Sequence, residues 1–220
     1  MEWSIKKVAV LLAVFCVLSG AVNAQATASP LQGRWVWNEQ GAVVPEFVEL
    51  VFFGNIMLLM EDVMPYYLGL PFIHTGGVIA MEGVDGFRWQ YRLSGNTLHI
   101  TNEYGENVSF SRVTMQRSPL EGFWEVTEGS GIAPEEVGQR LLFTGDIMAI
   151  GEDIGYMGFT IEFGERGFRP SLSSLGHDLP YIPEDQLEAF LDSLLMEYRI
   201  SGNYLILTHQ GEELVLRSIP

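Results

Sequence analysis

From Asn107 to Val113 the chain reads N-V-S-F-S-R-V. Val108, Phe110 and Arg112 fall on one side of an extended backbone, Ser109 and Ser111 on the other. A period of two is the signature of a half-buried β-strand. Similar apolar, β-prone runs recur along the chain. Four of the gaps between them hold Gly followed by Asn or Asp: Gly54-Asn55, Gly95-Asn96, Gly145-Asp146 and Gly202-Asn203. Glycine in that place supplies the positive φ of a type II′ turn, so each pair predicts a two-residue hairpin. One segment has a different period. After Pro183, acids fill the first turn and Leu187, Phe190, Leu191, Leu194 and Leu195 recur at helical intervals. This predicts an amphipathic helix over Glu184–Leu195.

The pattern is also written twice. "LQGRW" from Leu31 returns as "LEGFW" from Leu120, and "VFFGNIM" ending at Met57 returns as "LLFTGDIM" ending at Met148. "YRLSGNTLHIT" from Tyr91 returns as "YRISGNYLILT" from Tyr198, and "YGENVSFSRV" as "QGEELVLRSI". Blocks matching in the same order predict two copies of one unit. The copies span residues 31–113 and 120–219, joined by a linker at 114–119 and preceded by residues 1–24 of another character. The expected fold is all-β: two tandem small antiparallel meander barrels of six to eight strands, the helix being an insertion in the second copy. One merged barrel built from two half-barrels is the alternative.

Each copy opens on Gly-x-Trp (Gly33-x-Trp35, Gly122-x-Trp124) and carries an arginine in its last strand, Arg112 and Arg217. This ordered combination resembles the lipocalin-like, or calycin-type, barrels of exported bacterial proteins. The resemblance implies that Trp35 and Trp124 plug the closed ends. It also implies that Arg112 and Arg217 pack across those rings and join last strand to first, a contact that suits a planar guanidinium. Two features depart from the family: each copy is shorter than a standard lipocalin, and the helix lies ahead of the last strands.

Composition narrows the setting. Lys6 and Lys7 precede the apolar run "VAVLLAVFCVLSGAV", and Val22-Asn23-Ala24 offers small residues for a signal peptidase. Residues 1–24 thus read as a signal peptide cleaved near Ala24, and the chain as exported to the periplasm or beyond. The only cysteine, Cys16, lies in that run behind Phe15, which argues against a lipid anchor there. Past residue 24 there is no cysteine and no lysine, so disulfides and thiol chemistry are excluded. Removing two lysines and one glutamate from the totals of 12 basic and 28 acidic residues leaves a net charge near −17. That balance argues against nucleic acid and anionic lipid surfaces as partners. No second apolar stretch is long enough to span a membrane.

Candidate chemistry is sparse. His74, His99, His177 and His209 lack metal-ligand spacing, and no nucleophile-elbow motif is present. Glu61-Asp62 and Glu152-Asp153 align between the copies without the alternating oxygens of a calcium loop. Asn107-Val108-Ser109 matches a glycosylation sequon, but nothing else in the chain indicates a eukaryotic secretory host. No catalytic residue, metal site or cofactor is assigned, and an enzyme is not expected. The unusual stretch is the nearly uncharged segment 63–81. It reads either as two core strands or as an apolar flap at a barrel mouth, with Tyr66, Tyr67, Leu70, Phe72 and Ile73 as ligand-binding candidates. Tyr156, Met157, Phe159 and Phe163 form the matching set. Two functions fit: non-catalytic binding of a small apolar ligand or lipid, or a cell-envelope module with filled barrels and a protein partner. An open interior against a packed one separates them.

Overall fold

The computed structural model describes residues 29–38, 47–61, 66–81, 83–84, 87–130, 136–152, 155–175 and 183–220. The segment read as a signal peptide, His177, Asp62 and Asp153 lie outside them. Sixteen strands follow in chain order: β1 (Gly33–Trp37), β2 (Phe47–Phe53), β3 (Ile56–Glu61), β4 (Tyr67–Thr75), β5 (Val78–Met81), β6 (Arg88–Ser94), β7 (Thr97–Thr101) and β8 (Asn107–Val113), then β9 (Gly122–Gly129), β10 (Arg140–Thr144), β11 (Ile147–Glu152), β12 (Gly155–Phe163), β13 (Gly167–Pro170), β14 (Met196–Ser201), β15 (Tyr204–His209) and β16 (Glu212–Ile219). A helix, α1 (Glu184–Ser193), falls between β13 and β14. It is two residues shorter than expected, because Leu194 and Leu195 close it with tighter bonds to the carbonyls of Leu191 and Asp192.

Every sequential pair from β1 to β8 is antiparallel, and β8 returns to β1. The pairs from β9 to β16 close in the same way, β16 onto β9. The architecture is therefore two eight-stranded meander barrels, consistent with a calycin-like fold, and not one merged barrel. All four Gly-Asn or Gly-Asp pairs are two-residue turns. Their glycines have φ of 57°, 59°, 58° and 61°, and the register runs Phe53↔Ile56, Ser94↔Thr97, Thr144↔Ile147 and Ser201↔Tyr204. These turns lie at the end of each barrel where its first strand begins. The longer connections gather at the opposite end.

The hairpin ends are capped alike, and the sequence match extends two residues further than the Leu31 and Leu120 blocks. Ser29-Pro30-Leu31 and Ser118-Pro119-Leu120 each turn back so that the Ser hydroxyl accepts from the Leu amide, at 3.2 and 3.0 Å. The carbonyls of Leu31 and Leu120 accept the indole N–H of Trp35 and Trp124, at 2.7 and 2.8 Å. Gln32 both donates to and accepts from the backbone of Gly54. Its counterpart Glu121, having no donor, only accepts: from the amides of Gly145 and Ser118, at 3.0 and 3.3 Å, and from the Thr144 hydroxyl at 3.4 Å.

Each barrel is filled by its own side chains. In the first, Trp35, Phe52, Met57, Phe72, Trp89 and Phe110 form one buried cluster with the aliphatic residues between them. In the second, Trp124, Phe143, Met148 and Phe168 do so with Leu141, Leu205 and Leu216. Eight strands leave an interior that side chains of this size occupy. A third apolar cluster lies between the barrels. Val51, Leu58 and Tyr67 on the outer face of the first meet Leu142, Ile147 and Tyr156 on the outer face of the second. Strand pairing crosses this seam: Tyr67, Leu68 and Gly69 of β4 oppose Gly158, Met157 and Tyr156 of β12.

Candidate binding site at the mouth of the first barrel

The two loop ends differ. In the second barrel α1 lies at that end, tied to the rim on both sides. Arg169 on β13 reaches Glu188 and Asp192 at 3.2 and 3.5 Å, and His209 at the end of β15 donates through Nδ1 to the Leu195 carbonyl at 3.0 Å. Leu191 is the helix residue most deeply buried. The first barrel has no helix at its loop end among the described residues. There Phe47, Trp89, Ile100, Val108 and Phe110 floor a recess, and Asn102, Glu103, Tyr104 and Glu106 form one wall. Its volume is about 40 Å³, room for about three waters. Drug-sized ligands occupy roughly 300–1,000 Å³.

The wall is built by Asn102. Its side-chain carbonyl accepts from the amides of Tyr104 and Glu106, at 3.1 and 2.9 Å, and its side-chain amide donates to Glu106 Oε2 at 2.7 Å. Such Asx turns fix a short loop without help from a sheet. The arrangement leaves the Tyr104 ring 79% exposed. Glu103 accepts the Trp89 indole N–H at 3.1 Å, which sets the ring's orientation, and Phe87 and Phe47 pack on that ring with centroids 4.3 and 5.9 Å away. Neither Glu103 nor Glu106 is paired with a cation among the described residues.

The residues expected to form a ligand site do not converge. The described part of 63–81 is not a flap but Tyr66 followed by strands β4 and β5. Period-two alternation distributes its side chains in opposite directions. Leu70 and Phe72 point into the first barrel, Tyr67 points into the seam, and Ile73 points to solvent, 52% exposed. Tyr66 is half-buried just before β4. In β12, Phe159 and Phe163 pack into the second barrel, Tyr156 into the seam, and Met157 is half-buried opposite Leu68. A strand hydrogen-bonded on both edges has no freedom to act as a flap.

The closure residues also differ between copies. Arg112 lies opposite Trp35, its guanidinium 4.3 Å from the ring centroid, and it donates to the Pro30 carbonyl at 2.8 Å. Arg217 instead donates to Glu125 at 2.8 Å, and Ser218 is the residue opposite Trp124. The reason is a one-place offset: in the gapless match of the last strands Arg217 stands where Ser111 does. One place along a strand turns a side chain to the other face. Trp124 is nevertheless buried.

One polar cluster joins the barrels. Arg34 of β1 donates through Nη2 to Glu49 of β2 at 2.9 Å and through Nη1 to Asp146 of the second barrel at 3.0 Å. Its Nε lies 2.7 Å from Glu49 Oε1 in a contact too bent for a hydrogen bond, so that pairing is electrostatic. The Tyr67 hydroxyl donates to the same Glu49 oxygen. Burial opposes the charge on Arg34, but the hydrogen bond to Glu49 and the neighbouring negative charges outweigh it and hold its pKa above the ordinary value. Burial, and then the charge of Glu49, push the Tyr67 phenol well above its usual range, with Arg34 acting in the opposite direction. No motif announced this cluster, because its members are up to 112 residues apart.

Among the described residues no group of three His, Cys, Asp or Glu side chains is placed to hold a metal ion, and no helix is long and apolar enough to cross a membrane. Comparison of the sequence with protein-family models finds no match, and no curated protein matches it.

Proposed function

We propose that this chain is an exported, lipocalin-like double-barrel protein that acts in the cell envelope as a non-catalytic interaction module. The observation carrying this reading is the filled interior of both barrels. Aromatic and methionine side chains occupy the volume a carrier would leave for its cargo, and the recess at the first mouth is far smaller than a lipid requires. The cap at Trp35, with Arg112 across the ring, supports the lipocalin-like assignment of the first barrel. The second keeps the buried tryptophan and its cap without the stacked arginine. The apolar N-terminal run behind two lysines supports export.

Native mass spectrometry of residues 25–220, purified without detergent, tests the reading. The expected result is the bare mass of the chain, unchanged after incubation with fatty acids, retinoids or haem. A lipid that co-purifies at fixed stoichiometry would establish the carrier function instead.

A further inference from the structure

The seam between the barrels has two-fold character. Tyr67, Leu68 and Gly69 stand to Met60, Leu59 and Leu58 as Tyr156, Met157 and Gly158 stand to Gly151, Ile150 and Ala149. Across the seam Tyr67 opposes Gly158, Gly69 opposes Tyr156, and Leu68 opposes Met157. Exchanging the two halves returns the same pairing, with Leu68 and Met157 at its centre. Other buried residues of the seam correspond in the same way, Val51 with Leu142 and Ile56 with Ile147. Each tyrosine crosses the other half's glycine: a Cβ on Gly69 would stand 2.7 Å from Tyr156 Cβ, and one on Gly158 would stand 3.3 Å from Tyr67 Cβ. An interface that maps onto itself is isologous, the form a symmetric pair of identical chains takes.

The symmetry is broken at the Gly54-Asn55 and Gly145-Asp146 turns. Arg34 donates to both carboxylate oxygens of Asp146, at 3.0 and 3.2 Å. By register, Phe123 takes the place of Arg34 in the exchanged position, and Asn55 the place of Asp146. Phe123 packs there on Phe53, with ring centroids 5.5 Å apart, and the counterpart of Phe53 is Thr144. Two first halves joined through β4 would set each Arg34 against an Asn55 in place of a carboxylate. Two second halves would set Phe123 against Asp146 and Thr144, without its aromatic partner. The unlike pairing satisfies both contacts, and selectivity is such a difference between competing pairings.

We propose that the seam is a self-recognition surface, which the first half of a second copy of this chain also fits, and that Asp146, standing in the second half only, directs the first half to the second half of its own chain. This goes beyond the interaction-module reading and does not depend on it.

Residues 25–220 hold no cysteine, so Leu68→Cys places a single thiol at the centre of the seam. Two copies paired through β4 would set their two thiols opposite each other, and a disulfide traps that pairing however briefly it forms. The rate of disulfide-linked dimer formation under copper-phenanthroline is read on non-reducing gels. It is compared with the rate in an Asn55→Asp/Asp146→Asn background, which moves the carboxylate from the second half to the first. Both positions are exposed, and each receives a residue the matching turn already carries, so the fold should be kept; far-UV circular dichroism checks this. Two Arg34 pairs are lost from two closed chains and two are gained in the dimer. These four changes, each the modest one of a half-exposed ion pair, should together speed trapping at least about fivefold. Ile73→Cys, 52% exposed on the same strand beyond the seam pairing, should form dimers at one rate in both backgrounds. A Leu68→Cys rate that the moved carboxylate leaves unchanged, an Ile73→Cys rate that rises with it, or no Leu68→Cys dimer in either background would overturn the proposal.

Discussion

Replacing Arg34 by Met removes the only cation beside Glu49 among the described residues. Glu49 is 4% exposed, and among the described residues its one remaining side-chain donor would be the Tyr67 hydroxyl. An uncompensated buried charge costs about 3–5 kcal/mol. Replacing Glu49 by Met is the milder change: Arg34 is 20% exposed at its side chain and keeps Asp146. Solvent and that second partner reduce the expected loss to about 1.5–2 kcal/mol. The double replacement removes both charges and leaves only the Tyr67 hydroxyl short of an acceptor, so it should lie within about 1–2 kcal/mol of the parent. Urea unfolding followed by tryptophan fluorescence measures all three. Thermal midpoints should fall by roughly 6–20 °C for Arg34→Met, taking 2–4 °C per kcal/mol for a chain of this size. If the double variant loses the sum of the single losses, or if Glu49→Met is the worse of the two, the account of this cluster as a coupled buried pair is refuted.

Gly69→Ala should destabilise by about 1–3 kcal/mol, because the new methyl would stand 2.6 Å from Leu58 Cδ2 and 2.7 Å from Tyr156 Cβ at the seam; calorimetry reports it. Arg112→Ala should cost about 1–2 kcal/mol through loss of the stacking contact and the bond to Pro30. Arg217→Ala, which loses an exposed pair, should cost under about 0.5 kcal/mol, and equal losses would contradict the offset between the two strands. Tyr67 keeps its proton as pH rises past about 10, where an unfolded chain releases it. Its contribution to stability is therefore full below pH 10 and declines above it. Absorbance at 295 nm should show a phenol that ionises only on alkaline unfolding, and Tyr67→Phe should abolish that late component.

The hairpins were legible because a Gly-Asn pair between apolar runs allows few other structures, and all four lie where the pattern places them. The helix was legible from its apolar spacing. The offset of Arg217 was legible too, since the gapless match of the last strands sets Ser218, not Arg217, at the place of Arg112, and strand parity then denies the two arginines an equivalent role. The role of 63–81 was not legible. Uncharged aromatic residues mark a strand buried on both faces as readily as a flap, and only the pairing with β12 decides between them. The recess was not legible because Phe47, Trp89 and Glu103 come from β2, β6 and the β7–β8 connection, with the Asn102-Glu103-Tyr104 turn the one local clue.

The pairing of β4 with β12 bears on the order in which the protein is made. When the first half has emerged, residues 67–69 have every local partner except the strand that will finally cover them, and Val51, Leu58 and Tyr67 face water. That partner arrives about ninety residues later. Until then the half-made molecule presents an unpaired backbone edge beside an apolar face, the surface another nascent first half would fit. Vectorial synthesis thus gives this chain an interval of self-adhesion that ends only when β12 docks.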